Sequence, residues 1–386
     1  MIPTTLRAGV LGCGNISDTY LSRARTFEGL EIVACADTDA GRAAAQAERY
    51  GVRGTAPDAL LADPEVDIVI NLTPPRAHAT VGAAAIAAGK HLYSEKPLGV
   101  SLEEGRALAT AARAAGVRLG CAPDTFLGGG HQLARKLVDE GAIGRPISGA
   151  IWFATRGMEH WHPDPAFFFQ AGGGPILDIG AYYVTALVNL IGPVKRVMAI
   201  GTRGFAERLV TSEGPKRGTR LPVEVDTLVV GALEFACGAV VPLTATWDVF
   251  AETTFRLELY GSEGTMLLPD PNFFGGATRL SRGGAPFERV EPSAMAYARP
   301  NRRTGRGEDV ADYRILGVVD LARAIAEGRP HRCSGDLALH VLEVLCAFDR
   351  SAREGRHVAI ETPCERPAAL SGGDLAWWSG REAPAA

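Results

Sequence analysis

Lysine is scarce in this chain, with five residues (Lys90, Lys96, Lys136, Lys195 and Lys216) among 40 basic ones. Long apolar runs are missing too. None approaches the roughly 18 residues that a membrane-spanning helix needs, so no membrane association is expected. No basic-then-apolar leader precedes the first strand-like segment, and the expected location is cytoplasmic. A net charge of -4 gives no general attraction to nucleic acid. The seven cysteines (13, 35, 121, 237, 333, 346 and 364) include no C-x-x-C pair. Most sit in apolar runs, where a thiol packs as a small hydrophobe, so neither a disulfide framework nor a metal site is indicated. What remains is a 386-residue globular composition, 46% hydrophobic and 22% charged, long enough for two cores.

Leu6 to Leu11 reads as a buried strand that runs into Gly12-Cys13-Gly14-Asn15-Ile16-Ser17. In such a turn the first glycine permits the bend and the second lets the backbone approach a pyrophosphate. The helix starting near Asn15 then points its free N–H groups at that anion. A second apolar strand, Glu31 to Ala36, ends at Asp37, the usual place for a carboxylate that accepts hydrogen bonds from a ribose 2′-OH. Such a carboxylate repels a 2′-phosphate, so NAD is favoured over NADP, with NADP left open by Arg42. Arg42 also reads as part of a solvated helix face.

Strand and helix patterns then alternate: a strand at Val66 to Leu72 ending at Thr73-Pro74, a helix at Thr80 to Ala88, and a strand at His91 to Ser94. A helix at Ser101 to Ala115 and a strand at Val117 to Cys121 follow. This is the pattern of a doubly wound parallel sheet, a Rossmann domain over residues 1–123. Ligands in such sheets lie beyond the carboxyl ends of the strands, where Gly12, Asp37, Thr73 and Lys96 all fall. Lys96 stands in Glu95-Lys96-Pro97. A lysine amine can lose its proton when desolvated or set beside another cation, and a guanidinium cannot. The plain alternative is a surface lysine at a strand end.

Beyond Pro123 the texture changes. A helix at His131 to Glu140 precedes β-like segments at 147–154, 194–201, 225–235, 239–247 and 254–260, and helices follow at 309–327 and 336–354. The expected second domain, 124–364, is α/β with a large open, mostly antiparallel sheet. A second subunit is the economical cover for its far face, so a homodimer or homotetramer is expected. The tail, 365–386, is rich in Pro, Gly and Ala, although Trp377-Trp378 hints at docking.

Gly172-Gly173-Gly174-Pro175 opens an apolar helix that runs to Ile191. Asp178 and Tyr182, four apart, project from one face, and Tyr183 points elsewhere. Asp178 also suits the electrostatics of a helix N-terminus, and Tyr182 could be a core aromatic. Just upstream, Glu159-His160-Trp161-His162 with Phe167-Phe168-Phe169 mixes rings and polar tips, the make-up of a sugar-binding wall. The same stretch could be a purely structural loop. His160 and His162 have strand spacing for a metal, but no third ligand accompanies them. Asp124, with Thr125, is another candidate edge of the pocket.

Together, Gly12-x-Gly14-Asn15-Ile16-Ser17, Thr73-Pro74 with His78, Glu95-Lys96-Pro97, and Gly172-Gly173-Gly174-x-x-x-Asp178-x-Gly180-x-Tyr182 resemble the Gfo/Idh/MocA oxidoreductase family, across nearly the whole chain. The resemblance implies NAD(P)-dependent hydride transfer at a secondary hydroxyl or keto group of a sugar, glycoside or cyclitol. It implies that Lys96 is catalytic and that the residue four after Asp178 is its partner. Many members have histidine there, and this chain resembles the subgroup with tyrosine, Tyr182. By this reading Gly12, Gly14, Asn15, Ile16, Asp37, Arg42, Thr73, Pro74, His78, Glu95 and Lys96 bind cofactor, and Asp124, His160, Trp161, His162, Asp178 and Tyr182 face substrate. The residues leave open whether Lys96 or Tyr182 carries the proton. Two other readings on the same scaffold are an NAD-dependent glycosidase with internal oxidation and a non-catalytic sugar or dinucleotide sensor.

Overall fold

The computed structural model describes residues 5–251, 253–304 and 307–371, with Asp374 and Trp377. Two compact units divide them. One holds the chain up to Leu127, Tyr313–Leu339 and the described residues from Pro367 on; the other holds Gly128–Asp312 and His340–Arg366.

The first unit is built on β1 (Leu6–Leu11), α1 (Ser17–Ala24), β2 (Leu30–Ala36), α2 (Ala40–Tyr50), β3 (Arg53–Thr55), α3 (Pro57–Ala62) and β4 (Ile68–Asn71). It continues through α4 (His78–Ala87), β5 (His91–Ser94), α5 (Leu102–Ala115) and β6 (Leu119–Cys121). All six strands are parallel, in the order β3-β2-β1-β4-β5-β6. That is the doubly wound order, with its crossover between β1 and β4. β4, with all four residues inside, reads as an apolar run, Ile68-Val69-Ile70, that ends on Asn71, because such sheets are covered on both faces. β3 is short and largely exposed, so no apolar signal marks it.

The second unit begins with α6 (Gly129–Asp139), β7 (Pro146–Ala154), α7 (Ala181–Ile191) and β8 (Val194–Thr202), followed by a ribbon of β9 (Glu207–Leu209) and β10 (Arg220–Pro222). Then come β11 (Leu228–Phe235), β12 (Val240–Thr246), β13 (Arg256–Gly261), β14 (Gly264–Leu267), β15 (Thr278–Arg282) and β16 (Glu288–Val290). A second ribbon pairs β17 (Arg302–Arg303) with β18 (Asp309–Val310). α8 (Leu316–Glu327) lies in the first unit, most of α9 (Gly335–Glu354) in the second, and β19 (Val358–Ala359) completes the described elements. Nine strands form one sheet, β16-β15-β14-β13-β7-β12-β11-β8-β19, antiparallel except where β7 meets β12. Side chains alternate along much of it: Val197, Ala199, Val229, Leu233, Val241, Leu243, Ile151 and Phe153 are buried on one face. Tyr183 of α7 stacks on Phe153 at 5.3 Å on that face. The helix expected from Asp309 starts later, because Asp309 and Val310 pair as a strand and Ile315 takes φ +91° just before α8.

Candidate active site

In the first unit, the turn after β1 is shaped by two glycines with different constraints. Gly12 has φ +101°, and a Cβ there would stand 2.7 Å from the Leu72 carbonyl group. At Gly14 no atom lies within 4 Å of where a Cβ would stand, so the backbone there is open to an approaching group. Ser17, at the start of α1, donates its hydroxyl to the Gly14 carbonyl at 2.6 Å. Asn15 is exposed and Ile16 partly buried. Asp37 directly follows β2 and accepts the Cys13 N–H at 2.8 Å through one oxygen and the Asp39 N–H at 2.9 Å through the other. The open glycine, the helix start and this carboxylate fit a dinucleotide's pyrophosphate and ribose. Arg42 is exposed and lies 3.6 Å from Asp39.

The ends of β4 and β5 are braced from within. Asn71, fully buried, accepts the Thr73 hydroxyl at 2.6 Å and donates to the His78 carbonyl at 3.1 Å. Pro74 leads into a short helical turn, Pro75–Ala77. His78 is buried with Nε2 at 2.7 Å from the Thr73 carbonyl and Nδ1 at 2.6 Å from the Pro97 carbonyl, joining the two loops. Burial pushes its pKa down. The Glu95 carboxylate accepts the Lys96 N–H at 3.0 Å and the Tyr20 hydroxyl at 2.8 Å. Lys96 itself is partly buried. Asp124 lies inside this unit, 2% exposed, where it accepts the Gly317 N–H at 2.9 Å. Burial raises its pKa to about 7.

In the second unit, the helix expected after the triple glycine opens differently: its first turn, Ile176–Gly180, is π-helical, and the α-helix proper starts at Ala181. Asp178 is on the wide turn and Tyr182, 9% exposed, is the second residue after it. Wide turns of this kind recur at functional sites. The glycine run is tied to the aromatic segment, with the Gly174 N–H on the Phe168 carbonyl at 2.8 Å. His162 makes edge-on ring contacts with Trp161, Phe167 and Phe168 at 5.3–5.5 Å. Its Nδ1 accepts the Asp164 N–H at 3.1 Å, which leaves Nε2 to carry the proton in the neutral ring. Burial lowers its pKa, while Asp164 and Asp178 pull the other way. Trp161 is 59% exposed. His160 is held by its own surroundings: Nδ1 meets the Thr211 hydroxyl at 2.6 Å and Nε2 lies 3.3 Å from Glu159.

A family model described as an oxidoreductase family with an NAD-binding Rossmann fold matches residues 6–122, and one for the GFO/IDH/MocA C-terminal domain matches residues 131–267. The 1,5-anhydro-D-fructose reductase of Ensifer adhaerens is 32% identical over 269 residues, 68% of this chain and 75% of that protein. The chain belongs to the Gfo/Idh/MocA oxidoreductase family. Its NAD-binding Rossmann domain makes it an NAD(P)-dependent oxidoreductase. Another Gfo/Idh/MocA relative, the levoglucosan dehydrogenase of Pseudarthrobacter phenanthrenivorans, is 30% identical over 243 residues, 58% of this chain and 61% of that protein. A solved levoglucosan dehydrogenase with NADH and L-sorbose superposes at a TM-score of 0.77 with 25% identity, covering 93% of this chain and 99% of that one. An oxidoreductase domain protein from Kribbella flavida gives 0.78 at 25% identity, over 93% and 100%.

Within this Gfo/Idh/MocA chain, the structure brings Gly12, Gly14, Asp37, Thr73, Glu95 and Lys96 to the carboxyl ends of parallel strands in one unit. It brings Trp161, His162 and Asp178 into one neighbourhood in the other. Among the described residues no cluster of three metal-ligating side chains occurs, and no helix is long and apolar enough to cross a membrane. Two contributors escaped the sequence reading. Tyr20 looks like any core aromatic in an amphipathic helix. Arg208, 10% exposed, holds Glu159 at 3.3 Å, bonds Asp248 and lies over the Phe169 ring, supporting the aromatic segment from behind. No local pattern announces a buried arginine.

Proposed function

We propose that this protein is an NAD-dependent dehydrogenase or reductase of a sugar, glycoside or cyclitol, in which Lys96 and Tyr182 serve the proton transfer and Asp178 orients the substrate. The observation that carries the reading is the placement of Lys96 on the loop after β5, at the same strand ends as an open glycine turn and a ribose-type carboxylate. The names of the relatives support a sugar as substrate. Bound NAD supplies the carbon that takes up or releases hydride. The chain must handle the matching proton on the substrate oxygen, and an amine and a phenol are the groups suited to it. The Asp178 carboxylate accepts hydrogen bonds from sugar hydroxyls, His162 Nε2–H can donate one, and the exposed Trp161 ring suits an apolar sugar face. Thr73, Pro74 and His78 shape the loop beside the nicotinamide half of the cofactor, and Asn15 and Ile16 the pyrophosphate half. NAD is favoured over NADP because Asp37 places negative charge where a 2′-phosphate would sit and Arg42 lies beside Asp39.

The test is NADH formation or consumption, followed by absorbance, over a panel that includes levoglucosan, 1,5-anhydrofructose, xylose and myo-inositol. Lys96→Ala and Tyr182→Phe should each lose about a hundredfold or more in kcat, the scale of a general acid–base contribution. Release of a free sugar without net NADH, or dinucleotide binding without turnover anywhere in the panel, would overturn the reading. A homo-oligomer built through the open face of the nine-stranded sheet belongs to the same proposal. So does a cytoplasmic site of action.

A further inference from the structure

We propose that Tyr20 is a positioning residue for the Lys96 loop, acting through Glu95. The inference rests on the reading of Lys96 as catalytic. Glu95 follows β5, and its backbone N–H is held by the Asn71 carbonyl at 2.9 Å. Its side chain turns back on its own loop: Oε2 accepts the Lys96 N–H at 3.0 Å, and Oε1 accepts the Tyr20 hydroxyl at 2.8 Å. The peptide that carries Lys96 is therefore held by a carboxylate that also accepts the Tyr20 phenol. On the other side of Lys96, His78 Nδ1 meets the Pro97 carbonyl at 2.6 Å, so the loop is braced at both neighbours of the lysine.

Tyr20 is fully buried on α1, the helix whose first residue, Ser17, closes on the Gly14 carbonyl at 2.6 Å. One rigid element thus grips the pyrophosphate turn at its start and the lysine loop about one turn later. Burial and the nearby Glu95 and Asp124 carboxyls hold the phenol's pKa well above its usual range, so it is a permanent donor and not itself an acid or base. A buried tyrosine needs a partner, and any carbonyl would serve that need. Here the partner is the carboxylate adjoining Lys96, in a charge-assisted bond with defined geometry.

Tyr20→Phe removes the hydroxyl and keeps the ring. Its kcat, measured with NAD and levoglucosan or the best sugar of the panel above, should fall about 10- to 100-fold, the scale of an ångström-level misplacement. The sugar KM and the NADH dissociation constant, from NADH fluorescence, should change little. Glu95→Gln should lose kcat similarly, and the double variant should be no worse than the poorer single one, because the two act as one unit. With the sugar deuterated at the oxidised carbon, the isotope effect on kcat should be larger in Tyr20→Phe than in the wild type. A wild-type kcat in Tyr20→Phe with only a lowered Tm, or fully additive losses in the double variant, would overturn the inference. Should Tyr20→Phe fail to fold, a wild-type kcat in Glu95→Gln would overturn it equally. The underlying reading fails separately: it falls if Lys96→Ala turns over normally, whereas an inactive Lys96→Ala beside an unimpaired Tyr20→Phe sinks only the role of Tyr20.

Discussion

Gly12 and Gly14 stand two positions apart in one motif, yet a methyl group should affect them differently. Gly12→Ala forces an L-residue to φ +101° against the Leu72 backbone, so it should cost about 1–3 kcal/mol and lower Tm along with NADH affinity. Gly14→Ala meets open space and should leave Tm unchanged while weakening NADH binding, a contrast read by thermal melts and NADH fluorescence together. Asp124 yields a pH prediction of unusual sign. Burial raises its pKa from an ordinary 3.8 to about 7, so between those values the folded state binds the extra proton. Stability from this group is then greatest at low pH and declines as pH rises from about 4 to about 7, by at most about 4 kcal/mol. Asp124→Asn should flatten that slope and be relatively more stable at pH 8 than at pH 5 in urea unfolding. The motif residues were legible in the sequence because their chemistry demands one residue type. The burial of Asp124 was not, because no property of residues 122–126 says that Gly317 will arrive to meet its carboxylate.

At the scale of elements, the parallel sheet was legible because strands covered on both sides are mainly apolar, and the middles of β1, β2, β4 and β5 stand out as apolar stretches. Five strands of the second sheet were legible as well. The strands β14, β15 and β16 at one end of the sheet were not, because segments of three to five residues are too short to leave a pattern. The π-helical turn at Ile176–Gly180 was hidden for another reason: its apolar spacing differs from an α-helix by one residue over a single turn. Arg208 tests how the aromatic segment is held. It lies between two carboxylates, Glu159 at 2% exposure and Asp248 at 11%, so Arg208→Met leaves buried charge unpaired and should cost about 3–5 kcal/mol. Urea unfolding should show that loss. In protein that remains folded, the sugar KM should rise while the NADH dissociation constant stays put, if the aromatic segment serves as the substrate wall proposed above.

For the whole molecule, the outward face of the nine-stranded sheet is the feature with most consequence for assembly. Ile200, Val230, Thr244 and Trp152 form one row straight across β8, β11, β12 and β7, and Met198, Ala232 and Pro242 form the next. Ile200 is 73% exposed and Val230 46%, an apolar patch of the sort a second copy covers. Ile200→Glu should shift the protein to a smaller species in light scattering after gel filtration, with its circular dichroism unchanged. The docking expected of the tail holds for Trp377, which is 4% exposed, accepts the Glu28 N–H at 2.8 Å and faces Arg329 and Arg332; Trp378 lies outside the described residues. The edge of the parallel sheet is finished by distant chain as well. Residues 331–334 reach β6, with His331 on the Leu119 carbonyl at 2.9 Å and the Cys121 N–H on the Cys333 carbonyl at 3.1 Å. During translation, then, the first lobe to emerge from the ribosome is the last to be finished: β6 waits as a bare, adhesive border until some two hundred further residues have been made. A gene fragment stopping at Leu127 would keep that border open for good, and aggregation is its natural fate.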